Sequence, residues 1–153
     1  MSIVALEEVK ATQAKLADMI EKIETEMREN SFFEYGGKRI PLALGERYLC
    51  TVISPDGKFH HHSILLPGEA DPADWKTQMS HAESIGASVW NRVESLIALA
   101  TMPDEFKKEA YWTSELHVSD SDSAYYQGFY YGYQGYDTAD GKLRARFVRR
   151  LPI

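Results

Sequence analysis

The sequence predicts an α+β protein: a long heptad-patterned helix, then a head in which two short helices interrupt a mostly antiparallel sheet. Three observations carry that prediction. Apolar residues recur at alternating spacings of three and four through residues 3–29, which places them on one stripe of a helix. From Ile40 the pattern changes to short strand-like runs separated by Gly, Pro, Asp and Ser, with two capped helical segments among them. Six of the nine tyrosines then crowd into residues 124–136, an uncharged, glycine-broken run followed directly by an arginine-rich strand.

In the first segment Leu6, Val9, Gln13, Leu16, Ile20, Ile23 and Met27 fall at successive a and d heptad positions, and charged residues fill most of the rest. A strict two-in-seven stripe is narrower than the face of a helix packed on its own domain. Gln13 is the one polar residue in the seam, the kind of substitution that sets register and oligomer state. Two arrangements fit: a short parallel coiled coil, dimeric or trimeric, and a single amphipathic helix lying on its own head. Residues 1–30 are accordingly read as an oligomerisation helix, 31–39 as a linker and 40–153 as the head.

Within the head, residues 46–53 and 58–66 flank Ser54-Pro55-Asp56-Gly57, a turn sequence, and read as a hairpin. Asp71 is the expected N-cap of the first short helix, with Pro72 in its first turn; Trp75, Met79, Ala82 and Ile85 share a face and Gly86 ends it. The second opens at Asn91, with Glu94 placed to complete a capping box, and Val93, Leu96, Ile97 and Ala100 are its apolar face. Strands are expected over 111–114, 124–129, 133–137 and 143–151, separated by a loop at 119–123, by Gly132 and by Asp140-Gly141. Trp75, Trp90, Tyr111 and Trp112 read as core or hinge aromatics. Arg144, Arg146, Arg149 and Arg150 read as structural ion-pair partners.

Composition narrows the function classes. The chain has 153 residues and a net charge of −6, which argues against nucleic-acid partners that need a surplus of cations. The single cysteine, Cys50, excludes an internal disulfide and reads as an inert strand thiol. His60 and His62 project to the same side of a strand and offer two metal ligands, fewer than a closed zinc site needs, so no metal is expected. No nucleophile motif and no phosphate-cradling glycine loop is present, so neither an enzyme nor a cofactor is expected. The opening residues lack a basic start and an apolar core, which predicts synthesis in the cytoplasm without membrane insertion.

That leaves the tyrosine run. In any strand only every second residue points inward, so these rings cannot all be core. An uncharged cluster of exposed aromatics marks an interface, because tyrosine offers a large rigid contact area at low entropic cost. The candidate ligand-binding residues are Tyr125, Tyr126, Gln127, Tyr130, Tyr131, Tyr133, Gln134 and Tyr136. Expected partners are a protein or a cell-surface glycan, together with further copies of the chain.

Several motifs across residues 40–153 also carry a resemblance. They are Val52-Ile53-Ser54-Pro55-Asp56-Gly57, Ile64-Leu65-Leu66-Pro67-Gly68-Glu69, Asn91-Arg92-Val93-Glu94, Tyr111-Trp112-Thr113-Ser114-Glu115, Ala124-Tyr125-Tyr126-Gln127-Gly128-Phe129 with Gly132-Tyr133-Gln134, and Leu143-Arg144-Ala145-Arg146-Phe147-Val148-Arg149-Arg150-Leu151. In this order they resemble an uncharacterised domain of phage and prophage proteins that also ends a collagen-like bacterial adhesin. That family resembles the C-type-lectin fold of formylglycine-generating enzymes and phage tropism determinants. Trp90 departs from it, standing where the family usually has proline. The resemblance implies a ligand-binding scaffold with its docking positions on the last strands and loops. It makes a phage recognition protein the leading expectation, made in the host cytoplasm and carried in the virion. The alternatives are a small acidic inhibitor of a host defence or regulatory protein, and a structural virion component. The cysteine pair of the formylglycine enzymes and the calcium-lectin triplets are absent from the sequence.

Overall fold

The computed structural model describes residues 2–58 and 60–153, with the side chains of residues 28–30 excepted. Two compact units divide the chain, Met1–Gly45 and Glu46–Ile153.

The first unit begins with α1 (Ile3–Asn30), capped by Ser2, whose hydroxyl accepts the Ala5 N–H at 3.1 Å. Its heptad side chains, from Leu6 to Met27, are exposed, as is nearly every described position of the helix. The strands β1 (Phe32–Tyr35) and β2 (Lys38–Pro41) follow, where the sequence reading places a linker over 31–39. Tyr35 pairs with Lys38 across Gly36 and Gly37, whose φ values of 56° and 77° match a two-residue hairpin turn. That glycine pair closes the ribbon, and Arg39 lies 4.1 Å over the Phe32 ring.

The second unit holds two sheets. One contains β3 (Arg47–Ile53), β4 (His60–Leu65), β6 (Ser88–Val89) and β11 (Phe147–Pro152), in the order β3-β4-β11-β6. The other contains β5 (Ala70–Ala73), β7 (Ala110–His117), β8 (Asp120–Gly128), β9 (Gln134–Thr138) and β10 (Leu143–Ala145), in the order β5-β10-β7-β8-β9. Among the described residues, only the β10–β7 pair is parallel. The terminal arginine-rich segment, expected as one strand, divides at Arg146 between the two sheets. With α2 (Trp75–Ser84) and α3 (Arg92–Thr101), the unit is α+β and mostly antiparallel, as the sequence predicts.

Two helix details differ from expectation. Asp71 and Pro72 lie in β5, which pairs with β10, and Asp74 caps α2 instead by accepting the Thr77 N–H at 2.7 Å. Cross-strand pairing claims the earlier aspartate, and the next one is an equally good cap. Helix α3 starts as expected: Asn91 and Glu94 exchange bonds of 2.8 and 2.9 Å in a capping box. Its buried residues, however, are Glu94, Ser95 and Ala98; of the expected apolar face Ile97 packs against the core, while Val93, Leu96 and Ala100 are exposed. The expected loop at 119–123 is largely strand, because β7 and β8 meet in a tight turn and Asp120 accepts the Asp122 N–H and the Ser123 hydroxyl.

The core centres on Trp90, stacked 5.8 Å from Phe129 and flanked by Phe106 and Tyr111. Each buried indole finds an acceptor: Trp90 donates to the Trp112 carbonyl at 3.0 Å and Trp112 to the Ala73 carbonyl at 3.1 Å. Three of the four arginines pair with carboxylates. Arg144 meets Glu109 at 2.5 Å, Arg149 holds Glu46 through bonds of 2.7 and 2.9 Å, and Arg150 grips Glu94. Arg146 instead donates to the Leu66 carbonyl and lies over Phe106. No described helix is long and apolar enough to cross a membrane.

Candidate binding surface

The tyrosine run forms the β8–β9 ribbon and its turn. Register decides where each ring goes, since facing residues share a side of the sheet: Tyr125 pairs with Tyr136, Tyr126 with Gly135, and Gln127 with Gln134. The rings therefore divide between the two faces.

One face carries Tyr125, Gln127, Gln134 and Tyr136. The Arg92 guanidinium of α3 sits 3.9 Å over the Tyr125 ring, and His117 packs 4.2 Å from Tyr136. Gln127 is fully buried: its amide donates to the Gly128 carbonyl at 3.0 Å, and its oxygen accepts from Gln134 at 2.9 Å. Gln134 also donates to the Arg92 carbonyl at 2.7 Å, stitching α3 to the ribbon. Gln127 is thus a buried brace rather than a surface contact, and Gln134 acts as a second brace at the edge of the face.

The opposite face carries Tyr126 and Tyr133, with ring centres 6.3 Å apart. Tyr126 lies across Gly135, so close that a Cβ there would come within 2.6 Å of the Tyr126 hydroxyl; only glycine fits under the ring. Its hydrogen bond with Tyr133, burial and the nearby Asp137 carboxylate push the Tyr126 pKa up, which keeps its hydroxyl protonated.

Between the strands, Gly128 N–H bonds to the Tyr133 carbonyl at 2.9 Å and Phe129 plugs into the core. That anchor turns its neighbours outward. Tyr130 and Tyr131 stand edge to face at 4.5 Å, 68% and 80% exposed, and Gly132 returns the chain at a φ of 79°. With Tyr126 and Tyr133 they border a cleft of about 350 Å³, completed by Lys108, Glu109, Asp137 and a few small or aliphatic neighbours. Sequence reasoning missed Lys108, Glu109 and Asp137 here, and Arg92 and His117 on the other face. Only the alternation that puts Asp137 on the Tyr126 side was available to find any of them.

The other residues weighed for chemistry are placed apart from this ribbon. His62 is buried with Nδ1 2.9 Å from the Thr51 hydroxyl, whereas His60 is exposed. Among the described residues, no group of three or more His, Cys, Asp or Glu side chains gathers into a metal-binding arrangement. Cys50 is half-buried, and burial pushes its thiol pKa up, which disfavours the reactive thiolate. Tyr111 donates to Glu69, and burial together with that bond raises its pKa strongly.

Comparison of the chain with protein-family models, with curated proteins and with solved structures finds no match in any of the three. The geometry of the chain itself therefore carries the functional argument.

Proposed function

We propose that this chain is a ligand-recognition protein, displaying a tyrosine-rich surface on a head that α1 assembles into dimers or trimers. The carrying observation is the exposure of Tyr130, Tyr131, Tyr133 and Tyr136, each between 55% and 80%. Large aromatic rings held outward by a rigid ribbon make contact area that loses little entropy on binding. Helix α1 supports the oligomeric part. An isolated helix is marginal in water, and helices gain most of their stability by burying an apolar face. The Leu6-to-Met27 stripe is open for a second copy of itself, and joining heads multiplies weak contacts into avidity.

The motif resemblance across residues 40–153 supports a C-type-lectin-like head and a phage or prophage setting, with the virion as the place of action. The test is binding of the labelled full chain to intact bacterial cells, with and without Tyr130→Ser and Tyr131→Ser together. Loss of cell binding in a folded double variant is the expected result. Equal binding by the variant sinks the proposal, and association with an intracellular protein alone favours the host-inhibitor alternative.

A further inference from the structure

The two tyrosine faces differ in what they offer a ligand. On the Tyr125 side, Arg92 covers one ring and the glutamines are spent on each other and on α3. The Tyr126 side keeps a cleft. Its volume of about 350 Å³ lies at the small end of ligand sites, which span roughly 300–1,000 Å³. That space suits one or two rings of a small molecule.

We propose that this cleft binds a neutral saccharide, with pyranose rings lying on Tyr130, Tyr131 and Tyr133 and hydroxyls held by Asp137 and Lys108. The assignment rests on the recognition role proposed above and names the ligand class. Charge selects that class. Lys108 and Asp137 bring one charge of each sign, and Glu109 is taken up by Arg144 at 2.5 Å. A cationic ligand meets Lys108 and an anionic one meets Asp137, so neither gains a net attraction. Stacked nucleobases need a cationic groove along their backbone, which this cleft and a chain of net charge −6 do not supply. A saccharide needs what is present. It has an apolar C–H face for an aromatic ring, and hydroxyls that both donate and accept. Asp137 only accepts and Lys108 only donates, while the Tyr126 and Tyr133 hydroxyls do either. The perpendicular Tyr130 and Tyr131 rings give the cleft a corner instead of a flat platform, which favours a bent chain or a chain end.

The experiment is affinity electrophoresis of the full chain in gels containing an α-glucan, a β-glucan, a galactan, a mannan or N-acetylglucosamine oligomers. Inorganic sulfate and tetramethylammonium serve as charged competitors. At least one neutral saccharide should retard the chain, and neither competitor should displace it. Tyr130→Ala or Tyr133→Ala should weaken that retardation about tenfold, as loss of a central aromatic contact does. Tyr131→Phe should keep it, because the ring and not its hydroxyl makes the contact, and Val93→Ser on α3, outside the cleft, should leave it unchanged. Retardation by none of the saccharides overturns the proposal, as does displacement by either charged competitor or equal loss on Val93→Ser. If Tyr130→Ser with Tyr131→Ser abolishes cell binding while no saccharide binds, the recognition role stands and the saccharide class falls.

Discussion

Helix α1 leaves its six apolar heptad side chains 45–56% exposed, whereas α3 buries Glu94 completely and exposes Val93 and Leu96. Both helices are amphipathic in sequence, yet α1 leaves its stripe exposed and α3 packs only Ile97 of its expected apolar face against the core. The reasons differ. Among the described residues of unit one, nothing covers the α1 stripe, which runs about six turns from Leu6 to Met27. In unit two the side of α3 that meets the sheets is chosen by its N-terminal carboxylate. Glu94 takes the Asn91 N–H, the Ser63 hydroxyl and the Arg150 guanidinium, and a fully satisfied buried network outweighs the gain from turning two aliphatic residues inward. An apolar stripe is an address only where a matching surface exists; a buried ion pair with every bond made can overrule it.

The largest expected effect breaks α3's side of that comparison. Glu94→Ala leaves Arg150 and Ser63 without their partner and removes half the capping box, so we expect a loss of about 3 kcal/mol, measured by denaturant unfolding of the full chain. A loss below about 0.5 kcal/mol would mean that the network does not orient the helix.

Next is the seam. Leu16→Glu with Ile20→Glu places like charges at adjacent d and a positions, and light scattering should show the proposed oligomer in the wild-type chain and a monomer in the variant. The same change should lower helix content in circular dichroism, since a free α1 is marginal. A monomeric wild-type chain would remove the comparison's premise.

Acid provides a gentler probe of Glu94. Burial alone would raise its pKa, but Arg150, Ser63 and the Asn91 N–H together hold it below the ordinary 4.5. A depressed carboxyl contributes stability that is complete above about pH 4.5 and is lost as pH falls through the lower folded value. Unfolding midpoints should therefore fall on acidification below that point, and Glu94→Gln should flatten this limb. An unchanged slope in the variant would assign the acid sensitivity to other carboxylates, such as Asp74 and Asp120, whose pKa values are also lowered by hydrogen bonds.

The smallest effect sharpens the contrast from the outside. Val93→Ser and Leu96→Ser should each change stability by less than about 0.5 kcal/mol, as surface substitutions do. Larger losses in thermal unfolding would show that these side chains are covered in solution.

Much of this molecule is legible one residue at a time. The α1 stripe, the Asn91–Glu94 capping box, the 46–66 hairpin and the crowding of tyrosines beyond what a core can absorb all depend on neighbours within a few positions. Composition alone gave the expectation that the arginines of an acidic chain pair with carboxylates, which Arg144, Arg149 and Arg150 do and Arg146 does not. What was hidden depends on partners far away. Glu94 meets Arg150 across 56 positions and Glu46 meets Arg149 across 103, and only those pairings set which side of α3 faces in and where the terminal strands lie. The same holds for the tyrosines. Strand alternation alone says that they split, but the Gln127–Gln134 register, the plug of Phe129 and the cover of Arg92 decide which ring lies on which face. Local propensity and spacing are properties of the chain, and the sequence by itself determined α1, the capped start of α3 and the β3–β4 hairpin, but not the β1–β2 ribbon or the division of the last strand at Arg146. Burial is a property of pairs of surfaces, and only the tertiary structure decided which of those elements' faces meet water.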